Sequence, residues 1–208
     1  MSRYRCPCSF CCIYCTIYTI VFLFILSMFI FWLIFTPSSV KFHVTDTSLT
    51  QFNLTSNNTL FYNLKVNITV RNPNKDIVVY YRRITLIAWY KKRAFGWLSL
   101  APFDQGRKNT TFLQAQFQGH QAIKLKPRHI AEYNEETRQG IYNNLVVDLD
   151  LAVKAKYGRI KVGRFEPPVV QCRLRVPLVT SVKSAAALFN VTRCKTGYFF
   201  VDRNQEAG

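Results

Sequence analysis

Two patterns of apolar positions divide the chain. From Ile13 to Phe35 runs an uncharged stretch of 23 residues, IYCTIYTIVFLFILSMFIFWLIF. As a helix it reaches about 35 Å, enough for a hydrocarbon core of about 30 Å. Inside a bilayer every backbone amide needs an internal partner, so a lone span is helical. After Ser39 the period becomes two. Leu64, Val66, Ile68 and Val70 alternate with Asn63, Lys65, Asn67, Thr69 and Arg71, which predicts a half-buried strand. Asn72-Pro73-Asn74-Lys75 follows as a turn, since proline presets φ and asparagine tolerates left-handed backbone. The pattern predicts that this turn sends the chain back into strands Ile77–Tyr81 and Ile84–Tyr90. A second alternation runs through Leu145, Val147, Leu149, Leu151, Val153, Ala155 and Tyr157, with Gly158 breaking its phase as a turn or bulge. Val170, Cys172, Leu174 and Val176 form a further apolar row. Pro127 to Gly140 reads as one short helix, with proline opening it, glycine stopping it, and Ile130 and Tyr133 on one face. Short alternating runs between turn signals predict an antiparallel β-sandwich.

Composition narrows the picture. The 208 residues are 49% hydrophobic and 19% charged, with 8 Gly and 8 Pro. A disordered polyelectrolyte, a fibre and a disulfide-dense miniature scaffold are excluded. The apolar stretch is longer than a signal-peptide core and lacks a small-residue cleavage site behind it, so it reads as an uncleaved anchor. No other run reaches spanning length, which predicts a single crossing. Arg3 and Arg5 precede the span without nearby acids, and the cationic flank stays cytoplasmic. The expected orientation is type II, with residues 36–208 outside.

Glycosylation signals agree with export. Five N-x-Ser/Thr sequons follow the span, at Asn53, Asn57, Asn67, Asn109 and Asn190, more than chance gives. The cysteines form two populations. Cys6, Cys8, Cys11, Cys12 and Cys15 crowd the cytoplasmic edge, and the first four read as S-acylation sites, with free thiols or a metal as the alternatives. Cys172 and Cys194 stand alone in the exported part. An oxidising compartment favours their pairing, worth about 3 kcal/mol by loop closure, against the alternative of two buried thiols.

The motifs then become specific. The strand ending Val70-Arg71-Asn72-Pro73-Asn74-Lys75 is followed by Tyr80-Tyr81, by Leu100-Ala-Pro-Phe103-Asp-Gln105-Gly106-Arg-Lys108-Asn109-Thr110-Thr111, by Lys161-Val-Gly163, and by Cys172 through Val176-Pro177. In these positions the chain resembles the plant harpin-induced-like, non-race-specific-disease-resistance-like membrane proteins. Their outer part is the group 2 late-embryogenesis-abundant domain, also called the water-stress and hypersensitive-response domain. The resemblance runs from the anchor to about Cys194. It implies a mainly β, seven-stranded, fibronectin-III-like antiparallel sandwich with one short helix behind a single transmembrane helix. It also implies residence in the plasma membrane, sometimes at plasmodesmata, a role in defence or stress, and no catalytic residues or cofactor. The chain then divides into a Cys-rich cytoplasmic segment (1–12), the transmembrane helix (13–35), a membrane-proximal segment with the first strand (36–60), the sandwich (61–195) and a C-terminal tail (196–208). That tail is too short and polar for a lipid-anchor signal.

Candidate chemistry is sparse. His129-Ile-Ala-Glu132 lacks the second histidine of a zinc-protease motif, and no nucleophile elbow, phosphate loop or dinucleotide fingerprint is present. Asp148 and Asp150 share a strand face with Lys154 and Lys156, where ordinary charge pairing is expected. Beyond the span lie 26 Lys and Arg against 11 Asp and Glu. Lys154, Lys156, Lys161, Arg173 and Arg175 project opposite inward apolar rows, and neighbouring strands would gather them into a face for polyanions. Topology excludes nucleic acid as the physiological partner. The expected partner is pectin or another wall polyanion, giving adhesion between membrane and wall. The alternatives are an apolar or lipid ligand in a groove lined by Trp89, Tyr90, Phe95 and Trp97, and a scaffold that clusters immune receptors or copies of itself.

Overall fold

The computed structural model describes residues 9–179 and 189–204. It holds two compact units, Met1–Pro37 and Ser38–Gly208. The first is helix α1, Ser9–Phe35, which contains one stretch, Ile13–Trp32, long and apolar enough to cross a membrane. Hydroxyls that would be costly in lipid are satisfied within the helix: Thr19 Oγ1 donates to the Cys15 carbonyl at 2.7 Å and Ser27 Oγ to the Phe24 carbonyl at 2.8 Å.

The second unit is an antiparallel sandwich. Its strands are β1 (Lys41–Leu54), β2 (Thr59–Arg71), β3 (Ile77–Tyr90), β4 (Arg93–Leu100), β5 (Phe103–Gln105), β6 (Thr110–Ala122), β7 (Ile141–Tyr157), β8 (Ile160–Phe165), β9 (Val170–Pro177) and β10 (Thr192–Arg193). Among the described residues seven strands have eight residues or more, and the short β5, β8 and β10 are added to them. One sheet has the order β10-β1-β2-β6. The other runs β4-β3-β7-β8, with β5 also on β3 and β9 also on β7. Helix α2 (Pro127–Gln139) joins β6 to β7. It ends at Gly140, whose φ of 67° lets its N–H reach back to the carbonyls of Glu136 and Thr137.

The core lies between the sheets. In β2 every second residue from Leu60 to Val70 is buried, and in β7 so are Leu145 through Ala155 at odd numbers. Where the alternation is hidden in the sequence, a bulge is the reason. β1 slips register after Val44 and after Leu49, so its inward residues change parity. β3 slips after Tyr81: Ile77, Val79 and Tyr81 face in on odd numbers, Ile84 to Tyr90 on even ones. The two strands expected over 77–90 are therefore one bent strand.

Two further expectations are corrected. The Asn72–Lys75 turn does not fold β3 back against β2; it carries the chain from one sheet to the other. Pro73 offers no N–H for a hairpin ladder. The Asn72 amide instead donates to the carbonyls of Ile77 at 2.8 Å and Gly106 at 3.0 Å, fixing a crossover. The tail drawn from residue 196 also belongs in part to the sandwich. Phe199 is fully buried, with its ring 5.9 Å from that of Phe42 and 6.4 Å from that of Tyr81.

Candidate functional site

The motif residues Asn72, Pro73 and Asn74 build a clasp rather than a binding site. Asn72 Oδ1 accepts from the Asn74 N–H and side-chain amide, at 3.1 and 3.0 Å. Asn74 is in turn paired twice with Ser38, its Nδ2 donating to the Ser38 carbonyl at 2.7 Å and its Oδ1 accepting the Ser38 N–H at 2.8 Å. Gln105, fully buried, spans both sheets. It donates to the Val70 carbonyl of β2 at 2.8 Å and accepts the Tyr81 hydroxyl of β3 at 3.1 Å. Buried amides with every group partnered are specific fasteners, because an unpaired one costs its full desolvation.

Cys172 on β9 and Cys194 behind β10 are joined in a disulfide that links the two sheets. Cys6 and Cys8 lie outside the described residues, while Cys11 and Cys12 stand near the start of α1. Of the sequon residues, Asn53, Asn57, Asn109 and Asn190 are exposed. Asn67 is half-buried on the outer face of β2, its amide donating to Asp46 Oδ2 at 3.3 Å.

The five basic residues all point outward but split into two groups. Lys154 pairs across from Arg164, and Lys156 from Lys161, at the β7–β8 end. Arg173 and Arg175 stand on β9 beside the first half of β7. Between them sits a neutral network, in which Asp150 and Glu166 accept from Arg83 and Arg203. Glu166 is held below its ordinary pKa, first by its bond to Arg203. The charge pairing expected between the aspartates and Lys154 or Lys156 is not formed; arginines from β3 and from the C-terminal segment reach Asp150 first. Glu132, half of the H-x-x-E spacing, is engaged by Lys91 at 2.6 Å and Arg128 at 3.3 Å.

A groove of about 530 Å³ lies between α2 and the outer face of β3, β7 and β9. That volume lies in the range of ligand sites. Its floor is Trp89, Val146, Asp148 and Gln171; Arg128, His129 and Glu132 of α2 form one wall, with Lys92, Asn143, Asn144 and Arg173 at the rim. Trp89 Nε1 and Asp148 Oδ1 are buried without a hydrogen-bond partner of ordinary geometry. Burial pushes the Asp148 carboxyl up, against the opposing pull of Gln171 and Trp89. Lys92 and Arg173 are exposed and form no ion pair among the described residues. Of the aromatic residues expected to line a groove, Trp89 does. Tyr90 and Phe95 are fully buried against Phe52, and Trp97 is exposed on β4. Bulged β3 explains the difference, since parity changes after Tyr81 and sends Tyr90 inward. Lys92, the two asparagines and Gln171 come together through the pairing of β3, β7 and β9, and Arg128 joins them through the docking of α2, neither of which local spacing announces.

These features define an antiparallel β-sandwich carrying an apolar N-terminal helix and an open, cation-rimmed surface groove. A family model described as late embryogenesis abundant protein matches residues 67–172. The chain is 39% identical over 174 residues to NDR1/HIN1-like protein 3 of Arabidopsis thaliana, covering 83% of this chain and 74% of that one. It is 45% identical over 153 residues to NDR1/HIN1-like protein 10 of the same plant, covering 73% and 67%. The solution structure of another Arabidopsis thaliana protein aligns over 69% of this chain and 84% of that one, at 16% identity and a TM-score of 0.38. The chain belongs to the late embryogenesis abundant family, among its NDR1/HIN1-like members.

Proposed function

We propose that this chain is a non-catalytic, single-pass plasma-membrane glycoprotein of plant defence or stress responses, and that its groove holds the sandwich to a wall polyanion such as pectate. The NDR1/HIN1-like relatives support the defence and stress setting. The apolar helix, the cationic residues before it and the five sequons behind it support a type II orientation with the sandwich outside the cell, at plasmodesmata or elsewhere on the membrane.

One observation carries the ligand class: Lys92 and Arg173, without acidic partners, rim a groove floored by an indole. Uronate residues of a wall chain offer carboxylates to those cations and a sugar face to Trp89. Asp148 opposes an anion, and its burial, which favours the neutral acid, weakens that opposition. Each contact is weak, and repetition along a polymer gives avidity to a protein confined to a membrane.

The test is binding of the full-length chain, in detergent micelles, to immobilised pectate. The expected result is binding at low salt that falls steeply as the Debye length shortens, and that is lost in Arg173→Ala/Lys92→Ala. Binding indifferent to salt, or absent at low salt, rejects the reading.

A further inference from the structure

A second basic surface lies where the chain enters the sandwich, remote from the groove. Ser38 is fastened there to Asn74, and three loops meet around it. The Lys108 N–H donates to the Asn74 carbonyl at 2.9 Å and the Gly158 N–H to the Asp76 carbonyl at 3.1 Å, so the crossover 72–76, the loop 106–109 and the β7–β8 turn hold one another. From these loops and the start of β8 project Lys75, Arg107, Lys108, Arg159 and Lys161, all exposed. None of the five forms an ion pair among the described residues. Asp76 is the one acid in these loops, and it is half-buried. Between Arg159 and Lys161 stands Ile160, an aliphatic side chain 69% exposed.

We infer that this pole of the sandwich docks on anionic lipid headgroups of the membrane that the helix crosses, with Ile160 entering the interfacial layer. Three observations on the molecule select a lipid surface. The cations are gathered on mutually bonded loops, so bringing these loops to one surface costs little further ordering. An exposed aliphatic residue at a hairpin tip flanked by cations suits a headgroup layer, where charge meets phosphate and the apolar tip goes deeper. Thr36 and Pro37 alone separate the last residue of α1 from Ser38, a covalent reach of about 10 Å. A domain so tethered meets a lipid surface at very high effective concentration, so weak contacts suffice. The inference does not depend on the wall reading.

The experiment is amide hydrogen exchange on the full-length chain in nanodiscs of phosphatidylcholine alone or of an equal mixture with phosphatidylserine. The expected result is exchange slowed about fivefold or more at 106–109 and 158–161 in the anionic discs only. Arg159→Glu/Lys161→Glu should abolish that protection and leave exchange in β3 and β7 unchanged, which shows that the variant is folded. Equal exchange in both discs, or protection that survives charge reversal, overturns the inference. So does protection produced by soluble pectate in neutral discs without a response to anionic lipid, which would assign these cations to the wall.

Discussion

Lys91 Nζ donates to Glu136 Oε1 at 3.0 Å across the joint between the β3–β4 turn and α2, with only 5% and 8% of the two side chains exposed. The turn is Lys91-Lys92, at φ of 47° and 65°, the left-handed backbone that a two-residue hairpin demands and that asparagine or glycine adopts more easily. Lysine is accommodated because its ammonium is held from three sides: by Glu136, by Glu132 at 2.6 Å, and over the Tyr90 ring at 5.6 Å. Tyr90 completes the joint by donating to Glu136 Oε2 at 2.7 Å; burial and that carboxylate push its phenol far up. One wall of the groove thus rests on a buried ion pair.

Removing one partner of such a pair leaves the other charged and buried. Lys91→Met is expected to cost about 3–5 kcal/mol, while Lys91→Met/Glu136→Gln costs less than the single change, because no uncompensated charge remains. Urea unfolding of the single and double variants measures both. A single variant as stable as the parent contradicts the pairing.

The disulfide should matter through the unfolded chain. Cys172 and Cys194 are 22 residues apart, and opening that loop in Cys172→Ala/Cys194→Ala is expected to cost about 3 kcal/mol. The flanking backbone bonds between Gln171 and Lys195, 2.8 Å in both directions, keep the native alignment. The change should therefore appear as a lower urea midpoint with the fold retained in circular dichroism.

Acid should loosen the C-terminal segment. Glu166 has its pKa lowered on folding by Arg203 and Arg83, so its contribution is complete above the ordinary carboxylate value of 4.5 and is lost as pH falls through the lower, folded value. Exchange of the Arg203 amide, which donates to the Glu166 carbonyl, is expected to accelerate in that acid window relative to β7 after correction for intrinsic rates. Glu166→Gln should show the faster exchange already at neutral pH.

Asp148 should impose the opposite pH dependence on ligand binding. Its carboxyl is raised by burial, so it takes up a proton above the ordinary carboxylate range as pH falls. Each protonation removes a negative charge from the groove, and pectate affinity should rise from neutral pH down into that range. Asp148→Asn should bind more tightly at neutral pH and lose this pH dependence, as read by binding isotherms across pH.

Local pattern made much of this molecule legible. The uncharged run from Ile13, the alternation in 63–71 and 145–155, and the Pro127 and Gly140 boundaries of α2 each follow from backbone physics within a few residues. Bulges hid the rest. A one-residue slip after Tyr81 turns Tyr90 into the core, and two slips in β1 erase its periodicity. The Asn72 crossover looked like a hairpin because a turn is local whereas the choice of sheet is not: it depends on amide partners such as Gly106, 34 residues away. The groove was legible only at Trp89 and Arg173, since its other wall arrives with α2 through a salt bridge between Lys91 and Glu136, 45 residues apart.

The account turns on which side of the membrane holds the sandwich. The most direct measurement is a glycosidase gel shift on the protein from its native membrane, combined with protease added outside intact cells. The account requires a downward shift with glycosidase and loss of residues 36–208 to external protease. A sandwich without sugar and shielded from protease would contradict it.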